Sequence, residues 1–162
     1  MIDPKRLKIL ASDRHREFRN LSGRLKRKKP SDLDQITIEL HDIAFSYIDC
    51  LDCGNCCKSI SPLLTDRDIQ RMAVSLRMKP SEFTDRYLHL DEEGDYVFRF
   101  TPCPFLGKDN CCSVYENRPR ACREYPHTDR KRFIQILDLS VKNTFICPAV
   151  FEVFDGLSRR YS

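Results

Sequence analysis

The apolar residues of the first thirty positions fall in one narrow row: Leu7, Ala11, Phe18, Leu21 and Leu25, spaced by threes, fours and one seven. In a segment otherwise full of charge, that row predicts a helix over residues 5–29 with a single buried seam. Pro30 disfavours helix at Lys29 and ends it. Ser31 is placed to cap a second helix, with Asp34 completing the capping pattern. The apolar face of that helix reads Leu33, Ile36, Leu40, Ile43, Ala44 and Tyr47. Thr65 and Asp68 form another capping pair ahead of Ile69, Met72, Ala73 and Leu76, and Pro80 opens a shorter helix through Tyr87. The acidic run 91–95, with Gly94, signals a turn. Tyr96–Thr101 alternates as a strand does, and Phe133–Leu139 is a second strand candidate. Pro148 starts a last helix carrying Phe151, Phe154 and Leu157. The pattern predicts a small, helix-rich α+β fold with two or more short strands and much irregular backbone.

Charge divides the chain unevenly. Residues 1–30 carry eleven Lys/Arg against three acids, and residues 31–162 carry seventeen against twenty-one. The expected organisation is therefore a basic helical N-terminal extension (1–30) followed by one domain (31–162). Eleven cations could hold phosphates non-specifically, so a basic nucleic-acid or ribosome accessory protein is one alternative function. Phe18 is the only aromatic in that segment, and base stacking calls for more. No apolar run approaches the ~20 residues that span a bilayer. The start, Met-Ile-Asp-Pro and then charges, lacks the apolar centre of an export signal. A cytoplasmic location without a membrane partner is the expectation.

Nine cysteines in 162 residues change the picture. In a reducing compartment dense cysteines hold metal more often than disulfides. The first group, Cys50-Leu51-Asp52-Cys53-Gly54-Asn55-Cys56-Cys57, puts two residues between successive thiols, a spacing at which a tight turn can aim both sulfurs at one ion. Gly54 supplies the positive-φ freedom such a turn uses. Adjacent Cys56 and Cys57 are expected to point apart. The second group is Cys103, Cys111-Cys112, Cys122 and Cys147, which only tertiary folding can bring to the first. Arg118, Arg120 and Arg123 surround Cys122 and are candidates to offset thiolate charge. Tyr115 and Tyr125 flank the same cysteine, as core packing or as walls of a site. His127 is an alternative ligand; His15, His41 and His89 form no cluster with it along the chain.

The cluster Cys50–Cys57, then Cys103-Pro104-Phe105-Leu106, then Cys112-x-x-Tyr-Glu-x-Arg-Pro-x-x-Cys122-Arg123 resembles the YkgJ-type cysteine cluster family, whose signature is CxxCxxCC. The resemblance runs over roughly residues 48–150 and leaves the basic segment outside. It implies a zinc- or iron-chelating domain organised around a cysteine metal cluster. The implied ligands are Cys50, Cys53, Cys56, Cys57, Cys103, Cys112, Cys122 and Cys147, with Cys111 extra to the pattern. Eight thiols suit two zinc sites, one zinc with one iron site, or an iron–sulfur cluster with thiols to spare. The family is similar to the cysteine-rich part of flagellin lysine N-methylases, so an iron-dependent protein-modifying enzyme is the other alternative. No glycine-rich nucleotide loop follows a strand in this sequence, and catalytic residues stay unassigned.

Overall fold

The computed structural model, which describes residues 2–162, has the expected helix-rich α+β class. Its elements begin α1 (Pro4–Lys28), α2 (Leu33–Phe45), α3 (Cys50–Cys53), α4 (Asn55–Ser59), β1 (Leu63–Leu64), α5 (Asp66–Ser75) and α6 (Pro80–Tyr87). There follow β2 (Leu88–Leu90), β3 (Tyr96–Phe98), α7 (Arg120–Glu124), α8 (Leu137–Asn143) and α9 (Pro148–Arg160). Short 3-10 turns lie at Tyr115–Asn117 and Phe133–Ile136. Among the described residues no single helix is long and apolar enough to cross a membrane; 133–143 and 148–160 reach that length only as a pair bent by 119°. The chain forms two compact units, residues up to Cys50 together with Pro126–Ser162, and Leu51–Tyr125.

In the first unit α1 packs against α8 and α9, and α2 packs along α9. The seam read from the sequence is buried: Leu7, Ala11, Phe18, Leu21 and Leu25 are at most 1 % exposed. Each large side chain in that row contributes roughly 1.5–3 kcal/mol by leaving water. Phe18 meets Phe151 and Phe154 at ring-centroid distances of 5.5 and 5.4 Å, so α1 supplies the middle of this core. The boundary expected at residue 30 lies inside the unit. Gly156 lets α2 and α9 approach closely, because a Cβ there would come within 2.5 Å of Leu40.

Two expectations fail here. Residues 133–139 are not a strand but a 3-10 turn running into α8. Phe133, Leu137 and Val141, spaced by fours, are all buried, and the helical period won over the β-like composition. Asp34 fixes the start of that segment by accepting the Arg132 and Phe133 amides at 2.6 and 2.9 Å. It is therefore not part of a capping box on α2, whose N-cap is Asp32 and not Ser31. On α2, Leu33 and Ala44 are buried, whereas Ile43, and Tyr47 just beyond the helix, are exposed.

The second unit is a three-stranded antiparallel sheet, ordered β1-β3-β2, carrying α5 and α6. Leu63 pairs with Val97 and Leu64 with Tyr96, while Leu88 pairs with Phe98 and Leu90 with Tyr96. The capping box on α5 forms as predicted, with Thr65 and Asp68 bonding each other's backbone. Ile69, Met72 and Ala73 then meet Phe83, Leu88, Phe98 and Phe105 in the core. Phe105 is its hub, 5.0 Å from the Tyr87 ring and 5.6 Å from Phe98. Cys103 and Cys112 pack on the edge of this cluster.

Candidate metal centre

Cys50 and Cys53 bracket the one-turn helix α3, and Cys56 and Cys57 lie on α4. Gly54 joins the two helices at φ 56°, the left-handed turn that its lack of a Cβ permits. The side chain of Asn110 closes over it: a Cβ at position 54 would lie 2.9 Å from the Asn110 amide oxygen. Asn110 Nδ2 also donates to the Leu51 carbonyl at 2.7 Å, so the loop before Cys111 is stapled to the first cysteine cluster. Nothing local in the sequence announces Asn110. Its role exists only once the loop has folded back.

The Cys56 and Cys57 sulfurs are 3.9 Å apart, not divergent as expected from adjacency. That is close to the edge of a tetrahedral tetrathiolate, about 3.8 Å for metal–sulfur bonds of about 2.3 Å. The contact with Cys56 lowers the Cys57 thiol to about 7, against the opposing effect of burial and with help from Lys58. Cys57 O accepts the Cys103 amide at 2.8 Å, which ties the two cysteine segments together. From Cys103 the chain turns through Phe105 and returns, with Leu106 bridging Cys112 and Ser113 N bonding Phe105 O at 2.9 Å. Cys111, between them, is exposed, and the Asp109 carboxylate raises its thiol.

Cys122 sits on α7, and α7 is held by α5. Asp68 Oδ1 accepts the Arg120 amide at 3.0 Å, and Arg71 donates both to Asp68 at 2.6 Å and to the Arg118 carbonyl at 2.9 Å. This acid–base pair grips the chain on both sides of Pro119. With its side chain 2 % exposed and four donors around it, Asp68 is held near pKa 2 although burial alone would raise it. The sequence reading gave Asp68 a capping role and missed this second one; Arg71 carried no signal at all. Of the three candidate arginines, Arg118 stacks on the Tyr115 ring at 3.7 Å and its charge reaches Cys112 and Cys122. Arg120 pairs with Glu124 instead. Tyr115 is half-exposed, so it is not core packing.

Burial raises Cys103 to about 11 and Cys122 to about 12, and it raises Cys112 as well. Negative charge on Cys57 adds to all three shifts, and Cys122 also feels Cys103 and Cys112. Four thiols from four separate segments therefore lie within electrostatic reach of one another. Cys53, half-buried, completes the cysteines of this unit, its carbonyl accepting from Lys58 at 3.1 Å. Cys50 and Cys147 belong to the first unit, where Cys147 packs beside Ala44, Ile48 and Ala149. His127 is in the first unit too, at φ 64°; His15 meets Phe145, His41 bonds Thr128 at 2.7 Å, and His89 lies in β2 opposite Val97.

Among the described residues, no three His, Cys, Asp or Glu side chains stand together as preformed metal ligands. An open groove of about 560 Å³, lined by Arg67, Gln70, Arg71, Val74, Ser75 and Asn117, includes no cysteine.

Residues 49–143 match the CxxCxxCC family, described as "Putative zinc- or iron-chelating domain". The chain belongs to this family. The match takes in every cysteine except Cys147 and leaves out α1, α2 and α9 entirely. No curated protein and no solved structure matches the chain. For a CxxCxxCC protein the donor set fits the family description chemically: the half-buried donors of the second unit are soft thiols, which select zinc or iron over hard cations. Cys53, Cys57, Cys103, Cys112 and Cys122 are all unbridged thiols, available as donors.

Proposed function

We propose that the second unit chelates one zinc or iron ion through Cys57, Cys103, Cys112 and Cys122, with Cys56 beside Cys57 as the neighbouring donor. The reading rests on a single observation: four half-buried thiols, Cys57 together with the downstream Cys103, Cys112 and Cys122, lie within electrostatic reach of one another at the edge of a small core. Burial opposes ionisation of three of them, so thiolates there call for a compensating cation. When bound, such an ion supplies that charge and cross-links the segments it joins. The protein contributes the rest. The Asp68–Arg71 grip sets the position of Cys122, Asn110 pins the Cys111–Cys112 loop to α3, and Arg118 brings positive charge near two of the sulfurs.

The test is anaerobic purification of the full chain, elemental analysis and an absorption spectrum. About one zinc or iron per chain is expected, with strong visible bands only if the metal is held as an iron–sulfur cluster. The double variant Cys103→Ser/Cys122→Ser should lose the metal while circular dichroism still reports the helices of the first unit. Retention of full metal content by that variant defeats the proposal.

A further inference from the structure

Helix α1 separates its cations into two classes. Three serve the fold: Arg14 bonds Asp155 at 2.7 Å and Glu17, Arg24 reaches the Tyr161 carbonyl, and Lys26, at the same angle as Lys8, pairs with Asp138. Lys5, Lys8, Arg16, Arg19 and Arg27 are exposed, and among the described residues none of them makes an ion pair. At 100° per residue these five share one outward face with Ser12 and Gly23, opposite the buried seam. The row spans about 33 Å. Asp13 projects about a quarter-turn away from it, and Glu17 is engaged by Arg14. Within this row Arg19 also acts by charge on Asp138, and Arg27 suits the C-terminal end of the helix dipole. Like charges three apart, as in Lys5/Lys8 and Arg16/Arg19, weaken a helix.

Gly23 is the second observation. An interior glycine weakens a helix relative to alanine. Here a Cβ would meet only the tip of Arg27 at 3.7 Å, an ordinary contact, so packing within the chain does not require the glycine.

We infer that the outward face of α1 binds the phosphate backbone of a nucleic-acid duplex, independently of sequence. The chemistry selects among polyanions. No aromatic side chain stands on the face, which removes the stacking platform that single strands use. Its only large exposed apolar residue is Ile9, too little for an amphipathic helix to enter a lipid headgroup layer. A straight row of cations without base-reading partners suits the regularly spaced phosphates of a duplex.

The experiment measures binding of the full, metal-loaded chain to a fluorescent duplex of about 20 base pairs across a salt series. Five phosphate contacts predict a log–log slope of about −4.5. Arg16→Glu/Arg19→Glu should weaken binding at least about ten-fold and flatten the slope by about 2. The charge-matched control Arg67→Glu/Lys131→Glu should stay within about two-fold of the parent. Arg16→Gln/Arg19→Gln, with helix content checked by circular dichroism, repeats the loss without charge reversal. The inference is overturned by no binding at low salt, by equal losses in both double variants, or by tighter binding to vesicles rich in anionic lipid than to the duplex.

Discussion

The first unit interdigitates Phe18, Phe133, Phe151 and Phe154 with two rows of leucine and valine between helices, the longest of which has 25 residues. The second has strands of two or three residues, helices of ten or fewer, and a core of nine buried side chains beneath long irregular connections. Loops between Phe98 and Arg120 carry backbone that no regular ladder satisfies, and single bonds from Asn110, Ser113 and Asp68 hold them in place. In the first unit apolar burial repays the entropy of ordering helices. In the second a smaller apolar core lies beneath more irregular backbone, and the proposed metal would add a cross-link among those connections.

The sharpest way to break this comparison is to remove metal. Structural zinc in small domains supplies on the order of 10 kcal/mol of folding free energy. Chelation should therefore erase hydrogen-exchange protection across residues 51–125 while amides of α1 and α9 stay protected. Uniform loss in both units would show that they do not differ in what stabilises them.

Phe154→Ala probes the other side. Phe154 is fully buried between Phe18 and Phe133, and truncating it should cost about 3–5 kcal/mol. Thermal melts should shift strongly while metal content per folded chain stays that of the parent. Coupled loss of metal would mean that the first core sustains the cysteine site.

The contrast also explains what was legible beforehand. The α1 seam, the α5 capping box, the Gly54 turn and the start of α9 rest on local spacing, and each is found where the pattern puts it. The strand candidate at 133–139 failed because a short apolar run with β-like residues also fits helical spacing, and its start is fixed by Asp34, nearly a hundred residues upstream. Which cysteines share a neighbourhood was equally out of reach. The Cys103 amide bond to Cys57 O, the Asn110 staple and the Arg71 bond to Arg118 O all join segments by tertiary contact, and no periodicity encodes them.

Asp68→Asn sharpens the comparison within the second unit. The amide cannot satisfy the Thr65 backbone, Arg71 and the Arg120 amide as the carboxylate does. The folded pKa, about 2, lies below the ordinary 3.8, so the carboxylate's contribution is complete above about pH 4 and is lost as pH falls through 2. Its size is on the order of 2 kcal/mol. Acid melts of the parent should show that loss and those of Asp68→Asn should not. Metal affinity should drop with the substitution, because Cys122 loses the anchor of its helix.

The smallest effect is expected at Cys111. It shares with Cys112 the position that looks like a paired ligand in the sequence, yet one of the two packs on the core and the other faces solvent. Its thiol is raised by Asp109 at the loop tip, and it takes no part in the mutual influence of Cys57, Cys103, Cys112 and Cys122. Cys111→Ser should therefore leave metal content and the chelator-sensitive region unchanged, where Cys112→Ser lowers both. Elemental analysis of the two variants side by side decides it: equal losses would place Cys111 among the ligands and move the site outward, from the core edge toward the loop that Asn110 pins.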